Sequence, residues 1–166
     1  NLAGGTFTVG GTDGIRGTGT FTFGGGTLKV GSDLTTSNAM TLTAGKTATV
    51  DTNGNSATLS GVLSGSGTLS KSGAGTLVLS GVNTYTGGTT IASGTVQIAA
   101  NSGLGATNGT VTFSGGTLAV TGTFTNSRIT TLSGSGGTIA PADGATLTWN
   151  GKISGSGALT IAGAGT

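Results

Sequence analysis

The chain has 166 residues, with 37 Gly, six Lys or Arg, four Asp, no Glu, no His and no Cys, for a net charge of +2. These counts exclude disulfides, thiolate metal sites and Ser-His-Asp chemistry. Lys29, Lys46, Lys71, Lys152, Arg16 and Arg128 are scattered, so nothing forms a basic track for nucleic acid.

Helix signals are sparse, because Glu is absent and Gly recurs every few positions. Strand signals run the whole length. TFTV at 6–9, FTF at 21–23 and TLKV at 27–30 alternate polar and apolar residues. So do MTL at 40–42, LVL at 77–79, VQI at 96–98, VTF at 111–113, LAV at 118–120, LTW at 147–149 and LTI at 159–161. Each would turn an apolar face to a core and a Thr-rich face to water. Between them stand turn formers: Asp13-Gly14, Asn53-Gly54, Gly87-Gly88, Asn108-Gly109, Asp143-Gly144 and Asn150-Gly151. Such residues tolerate positive φ, and Asn-Gly also suits hairpins.

The chain repeats itself at long range. GVLSGSGTLSKSGAGT at 61–76 returns as GKISGSGALTIAGAGT at 151–166, and FTFGGGTLKV at 21–30 returns as VTFSGGTLAV at 111–120. Both pairs are 90 residues apart. Two separate domains would need a linker, and the composition never shifts. A solenoid needs none, because one turn feeds the next. With coils of ~20–25 residues, each 90-residue unit makes about four coils and the chain about seven. The expected organisation is one segment, 1–166, with units at 1–20 (partial), 21–110 and 111–166 (partial). In this reading like residues stack on like, which accounts for recurrent corner Gly and strand Thr. The core would be stacked Leu, Val, Ile and Phe. The ends fall in mid-unit and the chain lacks a starting Met, so an interior window of a longer array is expected.

The stretch 65–96 resembles the passenger-associated repeat of autotransporters, the secreted proteins of Gram-negative type V systems. The residues that carry the resemblance are Gly65, Ser66, Gly67, Leu69, Lys71, Gly73, Gly75, Leu77, Leu79, Ser80, Gly81, Asn83, Tyr85, Gly87 and Thr89, closed by Gly94, Thr95 and Val96. A second copy keeps Gly155, Ser156, Gly157, Leu159, Gly163 and Gly165, with Ile161 in place of Lys71. That replacement argues against an essential chemical role for Lys71. The resemblance implies an all-β, right-handed parallel β-helix in an exported passenger domain, outside the cell or on a Gram-negative surface. It also implies a structural role for these residues.

No enzymatic role and no cofactor or metal is expected. Lyase and glycosidase sites need converging carboxylates, whereas Asp13, Asp33, Asp51 and Asp143 all read as turn residues. Gly10-Gly11-Thr12-Asp13-Gly14 lacks the spacing of a calcium-binding nonapeptide. No apolar run is long enough for a membrane-spanning helix. Trp149 alternates with Leu147 and reads as core, and Tyr85 as packing at a corner. The expected function is a stalk or filament segment that spaces or displays modules, adheres, or self-assembles end to end or laterally. Its expected partners are flanking repeats and other copies. The alternative is a binding module for glycan, a host surface or ice, through Thr-x-Thr and Asn aligned on one flat face.

Overall fold

The computed structural model describes residues 1–11, 15 and 19–166; Asp13, Gly14, Arg16 and hence the acidic part of the Gly10–Gly14 stretch lie outside them. It is an all-β parallel solenoid of about seven coils. Short strands form where Thr alternates with apolar residues, and Gly-containing corners end most of them. Every strand pairing is parallel, so Asn53-Gly54 turns a corner of the coil and closes no hairpin.

Each coil has three sides. Side one stacks strands Thr27–Thr36, Thr47–Asp51, Thr68–Ser72, Thr89–Ile91, Val111–Phe113, Thr130–Leu132 and Ile153–Gly155. Side two stacks the later half of Thr27–Thr36 with Ser56–Leu59, Thr76–Leu79, Thr95–Ile98, Thr117–Val120, Gly137–Pro141 and Leu159–Ile161. Side three begins with Phe21–Phe23, Met40–Leu42 and Leu63–Gly65. It then loses its ladder around the short 3-10 turn Asn101–Leu104 and resumes with Phe124–Asn126 and Leu147–Trp149. One coil takes 19 residues between Thr112 and Thr131 and 23 between Thr131 and Ser154.

The core fills the triangle from all three sides. Its inward columns include Leu28, Val50, Ile91 and Phe113 on side one, and Leu77, Val96, Leu118 and Ile139 on side two, all buried. A fully buried side chain of this size contributes ~1.5–3 kcal/mol. No single coil encloses a core, so stability comes from the stack.

Neighbouring coils stack like on like, Leu77, Val96, Leu118 and Ile139 being one such column, but the 90-residue copies do not fall on the same side. From Phe21–Phe23 to Val111–Phe113 the chain makes four coils and one further side. The first strand lies on side three and its sequence copy on side one. Likewise Thr68–Ser72 is on side one and its copy Leu159–Ile161 on side two. Phe113 therefore stands over Ile91, and Phe23 against Leu42. The corners travel with the sequence all the same: Gly65 and Gly155 have φ of 94° and 125°, and Gly73 and Gly163 of 70° and 91°.

Two further expectations change. Asp33 lies inside strand Thr27–Thr36, where pairing passes from side one to side two. Gly109 and Gly151 do not adopt positive φ. Gly151 is required for closeness instead, since a Cβ there would overlap the Arg128 carbonyl.

Candidate functional site

The polar residues of the 65–96 motif gather where the strand ladder cannot satisfy the backbone. Leu69, Leu77 and Leu79 simply point inward. Lys71 also points inward, in the apolar column between Val50 and Ile91, and is fully buried. Its Nζ curls to the corner and donates to the carbonyls of Ser72 (2.7 Å), Gly73 (2.7 Å) and Ser93 (3.2 Å). Burial pushes its pKa down to about 8, against an opposing pull from Asp51.

Asn83 and Tyr85 serve side three. The Asn83 Oδ1 accepts the Leu63 N–H at 2.9 Å, and its Nδ2 donates to the Gly103 carbonyl at 2.9 Å. One buried amide thus bridges the coil below and the coil above. The Thr86 N–H donates to the Gly65 carbonyl and the Ala106 N–H to the Tyr85 carbonyl. Tyr85 therefore sits between Gly65 and Gly105, and a Cβ at Gly105 would press on its ring. The buried phenol pairs with the Thr89 hydroxyl at 2.6 Å. Burial pushes its pKa up to about 12, and the Thr89 bond and Arg128 pull the other way.

The glycines make the stack tight. A Cβ at Gly81 would overlap the Gly61 carbonyl, and one at Gly87 the Gly67 carbonyl. Gly75 and Gly94 close the corners beside Lys71, while Ser66 and Ser80 are exposed. In the second copy Leu159 is partly buried and Ile161 is 67% exposed, on the last coil of side two. Ser156 is exposed there, with Gly157 and Gly165 at the corners.

Sequence reasoning passed over Arg128. It is buried beside the turn that interrupts side three. Its Nε donates to the Ala106 carbonyl (3.2 Å), its Nη2 to the Asn101 (3.1 Å) and Gly105 carbonyls, and its Nη1 to the Asn101 and Asn126 side chains. The guanidinium replaces the missing strand. Burial lowers its pKa, and Tyr85 raises it. The one available signal was its position, 90 residues after Asn38. Asn38 likewise donates from its Nδ2 to the Gly19 carbonyl at 3.2 Å, and the Thr36 hydroxyl to the Ile15 carbonyl at 3.5 Å, each about one coil earlier. The stretch 101–106 thus takes the place of a side-three strand and is fastened by Arg128, about one coil further on.

The described acidic residues bond backbone N–H groups or lie exposed, Asp51 within its own corner and Asp33 across to the next coil. The Asp51 carboxylate accepts the Asn53 N–H (2.9 Å), the Asp33 carboxylate accepts the Ser56 N–H (2.8 Å), and Asp143 is exposed before Gly144. Among the described residues no acidic cluster could hold a metal, and no helix is long and apolar enough to cross a membrane.

The outward faces carry hydroxyls in register. On side one Thr6, Thr27, Thr49, Ser70, Thr90, Thr112, Thr131 and Ser154 form one unbroken file. Side two has the shorter file Ser56, Thr76, Thr95, Thr117, Thr138 and Thr160. The Thr-x-Thr pairs align as pairs on side three, where Thr123-x-Thr125 lies beside Thr146-x-Thr148, but on side one Thr110-x-Thr112 stands next to Gly88-x-Thr90 and residues 129–131.

Residues 69–98 match the passenger-associated-transport-repeat family. No curated protein and no solved structure matches the chain. The repeat and the β-solenoid together are consistent with a segment of an autotransporter passenger domain.

Proposed function

From a passenger-associated transport repeat set in a parallel β-solenoid, we propose that this chain is a non-enzymatic stalk segment of a passenger exported to the surface of a Gram-negative cell. The observation that carries the reading is the single parallel ladder linking sides one and two from the first coil to the last. Such a ladder transmits position along one axis, with strands ~4.8 Å apart. Polar groups of the repeat are consumed in fastening coil to coil, which is what a spacer requires. The strand-replacing stretch at 101–106 is where a stalk of this design would project attached features.

Electron microscopy of the native-length protein tests this. Rods whose length grows with the number of coils support it; globular particles would overturn it. Unbranched fibres would add end-to-end assembly, since the strand edges at either end of the stack can pair with another copy.

The side-one hydroxyl file favours a second reading, a binding face for a regularly spaced polar ligand such as a glycan chain. Replacing Thr90 and Thr112 together with Val keeps the strand shape and removes two adjacent hydroxyls. Loss of retention on a glycan array with an unchanged melting temperature would support it, and unchanged retention would remove it.

A further inference from the structure

We propose that the Asn150-Gly151 peptide is a site of spontaneous backbone modification, converting to aspartyl and isoaspartyl forms while the fold protects the chain's other two Asn-Gly pairs. In this reaction the Gly nitrogen attacks the Asn Cγ. The N–Cγ bond forms, the Cγ–Nδ2 bond breaks, and ammonia leaves with the proton from the Gly nitrogen. Water then opens the cyclic imide at one carbonyl or the other, giving Asp or isoAsp. Gly in second place leaves the attacking nitrogen unshielded by a side chain. What remains is whether the fold frees that nitrogen.

The three pairs differ in this respect. The Gly54 N–H donates to the Ala74 carbonyl at 2.8 Å, in the next coil. The preceding Asn53 is held at φ 50°, with its own N–H on Asp51. The Gly109 N–H closes a turn onto the Ala106 carbonyl at 3.0 Å. Among the described residues the Gly151 N–H makes no hydrogen bond, and the exposed Asn150 side chain makes none. The free N–H belongs to the corner itself. Gly61, the same position one unit earlier, also lacks a bond on its N–H, and a Cβ there would overlap the Asn38 carbonyl. Gly61 follows Ser60, which has no amide to lose; the later unit places Asn before this Gly.

The product would disturb the stack. An isoaspartyl link adds a methylene to the main chain where the backbone already lies against Arg128. On either side of it, the Asn150 N–H donates to the Asn126 carbonyl (2.8 Å) and the Lys152 carbonyl accepts the Thr130 N–H (2.8 Å). A lengthened corner pulls these two bonds out of register, and a new carboxylate appears at the surface.

The test uses the full chain without substitutions. Samples are incubated folded and in denaturant, then cut with trypsin, which places Asn53, Asn108 and Asn150 in the separate peptides 47–71, 72–128 and 129–152. Fragmentation spectra locate each amide-to-acid mass increment. In the folded sample peptide 129–152 should convert roughly 5- to 30-fold faster than the other two, the factor set by one retained hydrogen bond. In denaturant all three should convert at similar rates. Equal rates in the folded sample, or an intact Asn150 in the folded sample beside conversion in denaturant, would overturn the proposal. Asn150→Gln should abolish the increment, since Asn150 is the only amide residue of that peptide.

Discussion

Segments 61–76 and 151–166 are nearly the same sequence, yet they occupy different sides of the solenoid and different depths. In the first, Leu69 and Lys71 are fully buried on side one; in the second, Leu159 is half-buried and Ile161 exposed on side two. Two pairs of corners match, Gly65 with Gly155 and Gly73 with Gly163, all at positive φ, whereas Gly75 is at φ 90° and its copy Gly165, on the last coil, is not at positive φ. Local conformation therefore travels with the sequence, while side and burial are set by counting strands along the stack. Three sides of similar length make this possible: a unit moved round by one side meets an equivalent surface.

The largest predicted effect breaks the equivalence of the two segments. Leu69→Asp buries a carboxylate without a partner and should cost about 4 kcal/mol or more. Leu159→Asp, at the same place in the later copy, should cost a small fraction of that, because its side chain is already part-exposed. Denaturant unfolding of both variants checks this. Equal losses would mean that sequence, not depth in the stack, sets the energetics.

Arg128 and its unit partner Asn38 sharpen the comparison. Both reach back about one coil, Asn38 to the Gly19 carbonyl and the guanidinium to the Asn101, Gly105 and Ala106 carbonyls. Arg128→Met leaves the Asn101 and Gly105 carbonyls without a donor, whereas the Ala106 carbonyl keeps the Gly109 N–H. The expected loss is about 3–5 kcal/mol. Asn38→Ala should cost about 1 kcal/mol, and hydrogen exchange should locate the Arg128 loss at residues 101–106.

The strands were legible because Thr alternates with apolar residues at nearly every one of them, and the solenoid because the repeat has no linker. The rotation by one side was not legible. It depends on whether a 90-residue unit holds a whole number of coils, and coils of 19 to 23 residues leave that open. Asn83, Tyr85 and Lys71 could be picked from the motif, but both Asn83 partners and the Ser93 partner of Lys71 are backbone groups about 20 residues away, which carry no side-chain signature. Arg128 was hidden for the same reason, since it answers carbonyls and no acid. Hairpin chemistry at Asn-Gly misled because it specifies a tight corner without specifying the direction of the next strand.

Lys71 and Ile161 differ at one position of the repeat, and this gives a smaller, pH-dependent effect. With Lys71→Met, the Ser72 carbonyl keeps the Thr52 N–H and the Gly73 carbonyl keeps the Ser93 hydroxyl. The substitution should leave stability at neutral pH within about 1 kcal/mol or raise it, as for other buried ions replaced by apolar groups of similar size. The Lys71 pKa falls from 10.5 unfolded to about 8 folded, so the unfolded state binds more protons between these values and stability rises with pH across them. The Tyr85 pKa rises from 10.0 to about 12, so stability falls over that later range. Melting temperature should therefore peak around pH 10, and Lys71→Met should remove the rising limb and leave the falling one.

The smallest effect concerns side three where it resumes. Asn126 and Trp149 are paired in register, and the Asn126 Nδ2 and Trp149 Nε1 are both buried donors without acceptors. Side-three strands earlier in the chain place apolar pairs such as Phe23 and Leu42 in register. Trp149→Phe removes one stranded donor and some packing, two opposed terms that should leave stability within about 1 kcal/mol of the parent. Asn126→Asp turns the other donor into an acceptor for the indole N–H and sets a carboxylate beside Arg128, whose N–H and Nη1 already bond the Asn126 Oδ1. It should stabilise by about 1 kcal/mol, and Trp149→Phe in that background should take the gain away. A double-mutant cycle by denaturant unfolding reads the coupling directly. Additive effects would show that the two donors never face a common acceptor position.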